Sequence, residues 1–449
     1  MKFEKERLGH AFDGDYPESY EPKELGRLRP VLQRQIGQLG AGGAAEDDRL
    51  LGILIGRRSA NPARAQIETR SRLGGKDVCL VARGEVVLPA AKVGPVRHLL
   101  RGFTQQPSAG NAVQGPYLRL RQRAAAASEV DTVISACAAE KVAAAPHYLA
   151  TMAAVSKGVG GPEPVTGPPP APAAAPSTGS GAAVTVAVID TGIPSALRAD
   201  GWLTDVARTG DNIDALDLLP SGADGLLDYQ AGHGTFVAGV IRRVAPDAII
   251  RMYRAADSDG FATDQDIADA ILQAYDDGAQ VINLSLGART ADNNPPPAMA
   301  AAIAAVVAES GGETVIVAAA GNFGDELEVW PACLPGVESV GGLTGTLGET
   351  DWSSRGPRVR FSTVGEGIRS TYVPGTESPL FDPEPDTFGA DPWAIWSGTS
   401  FAAPQIAGAV ARISYEEGVT PRAAADKLDE FGKPVDGFGK AIRILQGLD

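Results

Sequence analysis

Short apolar segments alternate with helix-length segments between residues 184 and 319 of this 449-residue chain. The segments that predict strands are Val184–Ile189, Ala248–Tyr253, Val281–Leu286 and Thr314–Ala319. The segments that predict helices begin at His233 and at Thr263, and a third covers residues 298–309. Strands that are almost wholly apolar are typical of parallel sheets, because helices cover both faces. The alternation therefore predicts an α/β fold, with a parallel sheet, helices on both faces, and ligand chemistry at the carboxyl ends of the strands.

Residues 161–181 interrupt this pattern with a proline-rich segment. Seven of these 21 residues are proline, and nearly all the others are glycine, alanine, serine or threonine. Proline fixes the backbone angle φ and lacks an N–H, so the segment predicts neither a helix nor a central strand. It is typical of an extended linker. We therefore expect three parts, which are an N-terminal region (residues 1–160), the linker (residues 161–181) and a C-terminal region (residues 182–449).

The N-terminal region has weaker patterns, which predict a smaller α+β unit. We expect a strand at Leu50–Ile55, a hairpin of Val78–Val81 and Glu85–Leu88 around Arg83-Gly84, and a helix over residues 129–145. Three arginines alternate with other residues at Arg119, Arg121 and Arg123. The alternation fits either a basic contact site or a solvated strand face, and the usual surface placement of arginine favours the strand face.

Composition bears on partners and on the cellular compartment. The formal net charge of −15 disfavours nucleic acid and membrane surfaces as partners, because both repel an acidic surface. Charges recur through the first 15 residues, so we expect no secretory signal, and no apolar window is long enough to predict a membrane span. The cysteines Cys79, Cys137 and Cys333 are far apart, which favours free thiols in a reducing cytoplasm and leaves one disulfide open.

Four segments carry polar residues at the ends of predicted strands and helices. AVIDTGIP places Asp190 directly after a buried strand, and VIVAAAGNFG places Asn322 just past another. GHGTFVAGVI places His233 where a helix begins, and WSGTSFAAPQIAGAVARI places Ser400 at the start of an apolar helix. A serine hydroxyl is a poor nucleophile until a base takes its proton, and the base needs an acid to hold its tautomer. These residue types therefore predict nucleophilic catalysis by serine.

The backbone around these residues suits that chemistry. Gly192 and Gly234 let the chain pass close to the acid and the base, and Gly398 leaves room for a substrate beside the Ser400 backbone. The N–H groups at a helix N-terminus are unsatisfied and carry partial positive charge. The Ser400 N–H is therefore a donor for the negative oxygen of a tetrahedral intermediate, and the Asn322 amide is a second donor.

Taken in order, these segments resemble the signature blocks of the subtilase family of serine peptidases, whose acid, base and nucleophile follow the same order. The resemblance covers about residues 182–449 and includes VINLSLG (281–287), SSRGP (353–357) and FGKA (438–441). It implies a subtilisin-like fold and a serine endopeptidase that requires no cofactor and acts on peptide or protein substrates. The implied triad is Asp190, His233 and Ser400, with Asn322 as an oxyanion donor.

The resemblance also implies a substrate groove with two rails. One rail would be Ser285-Leu286-Gly287, which would pair with the substrate backbone as an added strand, and the other would be the turn Asp259-Gly260-Phe261. The S1 pocket would be lined by Ala319, Ala320 and Gly321, with Val329 near its floor. An apolar floor without an acid predicts a neutral or apolar P1 residue in the substrate.

The role of the N-terminal region stays open at this point. Many subtilases carry an N-terminal propeptide that assists folding, inhibits the groove and is cut off, and one hypothesis gives residues 1–160 this role, with a cut in the linker. The alternative is a permanent domain that recruits a partner, as in a dedicated intracellular processing protease. A third possibility is a non-catalytic binding module on the same fold, but such modules usually lack a triad member. A cytoplasmic peptidase needs restraint, which we expect from a propeptide, narrow specificity or a partner.

Other polar residues have simpler interpretations. The stretch 257–266 (DSDGFATDQD) lacks the spacing and terminal glutamate of an EF-hand loop, so no motif supports structural calcium. A turn and a helix capped by Thr263 explain the stretch better. His10, His98 and His147 have no partner motif and are expected on the surface or in the core. Cys333 lies near the predicted S1 pocket, where a structural thiol is more frequent than a redox site.

Overall fold

The structure is a computed structural model that describes most of the chain. The described residues are 29–30, 32–33, 36, 44–61, 64–72, 78–106, 116–123, 128–152, 163–164, 181–382, 385–445 and 447. Apart from residues 163–164 and Gly181, the predicted linker lies outside them, and so does His10. The bounds of the three expected parts therefore stay a prediction.

An antiparallel sheet forms the centre of the N-terminal region. Its strands are β1 (Ile67–Ser71), β2 (Val78–Pro89), β3 (Phe103–Gln105), β4 (Tyr117–Gln122) and β5 (Ala145–Met152). The helices are α1 (Ala44–Ser59), α2 (Val93–Val96) and α3 (Ser128–Ala139), with a 3-10 turn at Ala90–Lys92. Strand β2 pairs with β1, β4 and β5, and α3 packs against the sheet through Val130 and Cys137. The predicted α+β character of this region is confirmed.

The strand prediction for Leu50–Ile55 is wrong, because these residues belong to α1. Leu50 and Leu54 are buried and lie four residues apart, which places them on one face of a helix. A short apolar run has the same composition in a buried strand and in a buried helix, so its pattern alone does not separate the two.

The hairpin prediction is also wrong, because β2 runs without a break through Arg83-Gly84. Gly84 has a φ of 71°, and the pairing of β2 with β5 shifts register between Val81 and Val86. The glycine therefore allows an irregularity inside one strand rather than a turn between two. The helix predicted over residues 129–145 is present but ends at Ala139, and β5 begins at Ala145.

Arg119 and Arg121 lie on strand β4 but are partly buried, whereas Arg123, just past the end of β4, is exposed. Arg119 and Arg121 place their Nε atoms 2.7 Å and 2.8 Å from the buried carboxylate of Glu85. Arg123 donates to the Thr104 hydroxyl at 3.0 Å. The first two arginines compensate a buried charge, and this role has no signal in the local sequence.

The C-terminal region carries the remaining strands and helices. Its strands, after the two-residue β6 (Glu163–Pro164), are β7 (Thr185–Asp190), β8 (Ile249–Arg254), β9 (Phe261–Thr263), β10 (Val281–Leu284), β11 (Leu286–Gly287), β12 (Val315–Ala319), β13 (Val337–Leu343), β14 (Val359–Val364), β15 (Ile368–Thr371), β16 (Gly375–Thr376), β17 (Thr387–Phe388), β18 (Trp393–Trp396), β19 (Lys433–Val435) and β20 (Gly439–Ala441). Its helices are α4 (His233–Val244), α5 (Asp264–Asp276), α6 (Pro297–Glu309), α7 (Thr399–Glu417) and α8 (Pro421–Phe431).

Among the described residues, eight of these strands form the central sheet in the order β19, β20, β14, β13, β12, β10, β7, β8. All neighbours are parallel except β19 and β20. Alternate residues of β7 face opposite sides: Val186 and Val188 pack with α4 and α7, whereas Ala187 and Ile189 pack with α5 and α6. The predicted parallel sheet with helices on both faces is confirmed.

Candidate active site

Asp190 and His233 meet at the carboxyl edge of the central sheet. Asp190 is the last residue of β7, and His233 is the first residue of α4. The Nδ1 atom of His233 lies 2.8 Å from Asp190 Oδ1, and both side chains are fully buried. The backbone N–H of Thr191 also donates to Asp190 Oδ1, at 2.7 Å. The carboxylate therefore holds the imidazole with Nδ1 as the hydrogen-bearing atom and leaves Nε2 for proton transfer.

Two glycines allow this close approach. A Cβ on Gly234 would lie 2.4 Å from the carbonyl oxygen of Gly192, and a Cβ on Gly192 would lie 2.5 Å from that of Asn212. Gly192 also has a φ of 105°, which residues with a side chain rarely adopt. The sequence-based prediction of a close backbone passage here is confirmed.

Asp214 ties the same two segments together and was not predicted. Its Oδ2 accepts from the Thr191 hydroxyl at 3.0 Å and from the Gly232 N–H at 2.8 Å. Burial raises the pKa of Asp214 to about 6, although these hydrogen bonds act in the opposite direction. No sequence motif marks this residue, since its partners come together only in the folded chain.

Ser400 is the second residue of α7, at the helix N-terminus. Its hydroxyl donates to the Ser285 carbonyl at 3.1 Å, and the Ser285 hydroxyl donates to the Ser400 carbonyl at 2.8 Å. The His233 ring packs against Phe401 and Trp396, with ring centroids 5.3 Å and 5.5 Å away. His233 Nε2 is buried and has no hydrogen-bond partner among the described residues. The serine hydroxyl is therefore turned toward Ser285, and the imidazole packs against the next residue of α7, Phe401.

Asn322 lies just past β12, with its amide held by Thr399. Its Oδ1 accepts from the Thr399 N–H at 2.9 Å and from the Thr399 hydroxyl at 2.8 Å. These bonds point the amide oxygen at α7, so the Nδ2 end is the one able to donate to a substrate oxygen. Thr399 is a further positioning residue that the sequence analysis missed, although it stands directly before Ser400.

The two predicted rails are both occupied by β5 of the N-terminal region. Strand β11 pairs antiparallel with β5, with Leu286 opposite Met152 and Gly287 opposite Thr151. Strand β9 pairs with the other edge of β5, with Phe261 opposite Thr151, and the Met152 N–H donates to the Gly260 carbonyl at 3.1 Å. Residues 149–152 therefore lie as a strand between two edges that the sequence analysis assigned to a substrate.

The residues predicted to form the S1 pocket lie together near these rails. Ala319 ends β12, and Ala320 and Gly321 follow it toward Asn322. Val329 is buried between two backbones, because a Cβ on Gly287 would lie 2.7 Å from Val329 Cγ1 and one on Gly321 would lie 3.1 Å from Val329 Cγ2. The valine side chain thus fills space beside both glycines.

Comparison with known proteins bears on this arrangement. The family model described as "Subtilase family" matches residues 181–428, which is more than half of the chain. The chain belongs to the subtilase family. The family match contains all four residues at the carboxyl edge described above, and the lesser segment VINLSLG supplies β10 and the rail β11 of this subtilase.

Known relatives match a little more than half of this chain. The thermophilic serine proteinase of Bacillus sp. (strain AK1) is 32% identical over 243 residues, which cover 51% of this chain and 51% of that protein. Thermitase of Thermoactinomyces vulgaris is 28% identical over 271 residues, which cover 58% of this chain and 84% of thermitase. This subtilase spans about half the length of the first of these relatives.

A solved structure shows the same fold. The crystal structure of fervidolysin from Fervidobacterium pennivorans aligns with 85% of this subtilase and 62% of that chain, with a TM-score of 0.56 and 21% identity. The coverage is larger than the C-terminal region alone, so the similarity of fold extends into the N-terminal region. The subtilisin-like fold implied by the sequence resemblance is confirmed.

The remaining predicted features of this subtilase have clear positions. The stretch 257–266 forms a turn, the short strand β9 and the start of α5, whose N-cap Thr263 accepts from the Asp266 N–H at 3.2 Å. The thiols of Cys79 and Cys137 are free and buried, and that of Cys333 is free and partly buried. Within the described ranges, no cluster of histidine, cysteine and acidic side chains could hold a metal ion, and no helix has the length and apolarity to cross a bilayer.

Among the histidines, His98 is exposed, whereas His147 on β5 is fully buried. His147 Nδ1 lies 2.7 Å from Glu85, and its Nε2 accepts from the Gln265 N–H at the start of α5, at 3.3 Å. His147 therefore bridges the N-terminal and C-terminal regions, a role that its isolated position in the sequence does not indicate.

Proposed function

We propose that this chain is a serine endopeptidase that hydrolyses peptide bonds in extended segments. Ser400 Oγ attacks the scissile carbonyl carbon, His233 Nε2 accepts the hydroxyl proton and later gives it to the leaving amine nitrogen, and Asp190 stabilises the imidazolium. The observation that carries the proposal is the buried pair of Asp190 and His233. The ring of His233 packs against Phe401, the neighbour of Ser400, and its Nε2 has no partner among the described residues. A rotation of the Ser400 side chain away from Ser285 gives the hydroxyl access to the imidazole.

Two donors stabilise the oxyanion in this mechanism. The Ser400 N–H belongs to the first turn of α7, where no intrahelical acceptor is available. The Asn322 amide is aimed by Thr399 and costs no reorganisation when charge develops on the substrate oxygen. Both donors act in a buried setting, where such interactions are stronger than in water.

In this proposal the N-terminal region restrains the enzyme by filling its groove. Antiparallel pairing on both edges of residues 149–152 uses the backbone positions that a substrate strand needs, so substrate and β5 exclude each other. This supports the hypothesis of an inhibitory propeptide over that of a purely recruiting domain. Restraint of this kind also suits the predicted cytoplasmic location.

The register of β5 suggests where the chain cuts itself. Leu286 pairs with Met152, the last residue of β5; the rail residue before Leu286 is Ser285, and the next residue of the N-terminal region in the sequence is Ala153. The Ser285 carbonyl is the group that holds the Ser400 hydroxyl. We therefore expect cleavage after Ala153, and a small P1 residue fits a pocket that Val329 narrows.

Intact mass spectrometry of the purified wild type beside Ser400→Ala tests both parts of the proposal. The wild type should shorten by the mass of residues 1–153, and Ser400→Ala should stay at full length. A fluorophosphonate, which reacts only with an activated serine, should label the wild type and the control Ser414→Ala, which alters another serine of α7. Absence of the label would refute the catalytic assignment, and labelling without shortening would refute only self-processing.

A further inference from the structure

A cavity of about 400 Å³ lies beside the segments that carry Asp190 and His233. Small-molecule sites in proteins usually have volumes of about 300–1,000 Å³. Most of the side chains that line this cavity are apolar, and they include Ile193, Leu197, Leu203, Leu216 and Tyr372. Among the described residues, none of the proposed triad and neither rail of the groove lines it. The cavity is therefore separate from the substrate groove.

The cavity runs from the protein surface to a buried apolar end. Ala196 and Leu197 line it and are exposed, Leu197 to 62%. Ile193 and Leu203 also line it but are at most 1% exposed. A hydrocarbon chain that enters past Leu197 therefore leaves water and is buried against these side chains, which stabilises its binding.

Three of the four charged side chains that line the cavity already have partners inside the protein. Arg198 forms an ion pair with Asp200 at 2.6 Å. Asp214 accepts hydrogen bonds from one hydroxyl and two backbone N–H groups. Asp391 accepts from the Ala199 N–H at 3.0 Å. These three groups therefore need no partner from a ligand.

Arg208 is the fourth charged group of the cavity, and it forms no ion pair within the part of the chain that the structure describes. Its Nε and Nη1 donate to three backbone carbonyls, those of Pro194, Leu203 and Val206. The nearby carboxylate of Asp205 pairs instead with Arg242, at 2.6 Å. Burial lowers the pKa of Arg208, and Asp205 offsets this only in part. A partly desolvated guanidinium without an ion pair favours an anionic partner, and a carboxylate fits its planar fork.

The wall of the cavity suits a ligand with one polar end better than it suits a peptide. The carbonyls of Tyr372 and Pro392 already accept from Arg198, and that of Leu203 accepts from Arg208. A peptide carries an amide at every residue, and each amide that is buried without a partner costs binding free energy. A hydrocarbon chain that ends in a carboxylate needs only Arg208.

We propose that this cavity is a binding site for a small apolar carboxylic acid, whose carboxylate pairs with Arg208 and whose hydrocarbon part fills the buried apolar end. The site goes beyond the proposed peptidase activity and does not depend on it. Asp214 stands in the cavity wall and also joins Thr191 to Gly232. The bound acid thus lies against the two segments that carry the proposed catalytic acid and base.

The test uses full-length Ser400→Ala as the parent protein, because β5 fills its groove and leaves the cavity as the site to be measured. Isothermal titration calorimetry compares octanoate with octanamide, which has the same length and shape but no charge. We expect octanoate to bind one to one and octanamide to bind about 10–100-fold more weakly, the difference expected when a hydrogen bond to a charged group is lost. Acetate, which lacks the hydrocarbon chain, should give no measurable binding at the same concentrations.

Two variants of the parent locate the site. Arg208→Gln should lower the affinity for octanoate to that for octanamide, whereas the control Arg101→Gln, which removes an exposed arginine elsewhere, should bind octanoate like the parent. Ala196→Trp should block the mouth of the cavity and abolish the binding of both compounds. Its control, Ala138→Trp, adds the same side chain at an exposed position of α3 and should change neither affinity.

The proposal is overturned if octanoate does not bind, if octanoate and octanamide bind equally well, or if Ala196→Trp binds octanoate like the parent. Tighter binding of N-acetylleucine than of octanoate would also overturn it, since a peptide C-terminus would then be the better ligand. Thermal melts identify a variant that fails to fold, and the comparison of the two compounds on the parent then decides. Because every chain carries Ser400→Ala, the outcome does not depend on whether Ser400 is active.

Discussion

Replacement of Val329 by glycine is expected to shift the substrate preference from small toward large apolar P1 residues. The valine methyl groups lie against Gly287 and Gly321, at positions 2.7 Å and 3.1 Å from where a Cβ on each glycine would be. Removal of the isopropyl group frees room for about three carbon atoms of a substrate. At about 0.8 kcal/mol for each buried carbon, the gain is about 2.4 kcal/mol. This corresponds to about 50-fold in kcat/KM for leucine at P1 relative to alanine.

The assay compares two peptides that differ only at P1, alanine against leucine, with the processed enzyme and each variant. Val329→Ala should shift the leucine-to-alanine ratio of kcat/KM in the same direction but by a smaller factor. The control Val244→Ala removes the same atoms from the buried end of α4, so it should lower Tm without changing the ratio. If the leucine-to-alanine ratio of kcat/KM for Val329→Gly stays within about threefold of the wild-type ratio, the assignment of Val329 to the S1 pocket is refuted, because a single methylene is already worth more than about threefold.

Two further predictions concern the oxyanion donor and the buried carboxylate of the N-terminal region. Asn322→Ala should lower kcat by about 10²–10³-fold with little change in KM, which is the loss seen when this type of donor is removed from subtilisin. Thr399→Val should lower kcat by a smaller factor. Steady-state kinetics of the two variants measures both effects. Burial alone would raise the pKa of Glu85, but bonds from His147 and Arg119 outweigh it and hold the pKa well below its usual range. Because the pKa of Glu85 is lower in the folded state, its ionised carboxylate stabilises the fold at neutral pH. This stabilisation is lost as the pH falls below the pKa of an ordinary glutamate. In thermal melts at acidic pH, the Tm of Glu85→Gln should therefore change less with pH than the Tm of the wild type. Identical slopes of Tm against pH for the two proteins would contradict this expectation.

The C-terminal region was predictable because its signals are local. Buried strands require runs of apolar residues, and helix starts require a cap, as at Thr263, where the predicted cap is found. Asp190 ends β7 and Asn322 follows β12, whereas His233 and Ser400 lie at the starts of α4 and α7. The parallel topology brings these positions to one edge of the sheet. Their meeting was expected from the order of elements alone.

The N-terminal region was predicted less well because its patterns are short and its partners are distant. Leu50–Ile55 has the composition of a strand, yet it forms part of α1 because one helical face packs against the cluster around Phe381. The sequence predicts surface positions for Arg119 and Arg121, because nothing near them in the sequence indicates that Glu85 is buried beside them. Burial of a charge and the identity of its partner are properties of the folded chain.

The sequence by itself determined the family, the α/β order of the C-terminal region and the residues that carry the proposed chemistry, because each depends on residue types within a few positions of one another. Only the tertiary structure decided what fills the groove and which buried carboxylates Arg57 contacts. Residues 149–152 and Arg57 meet partners more than 100 positions away. Strand register and buried ion pairs are set by such long-range contacts, and no local pattern encodes them.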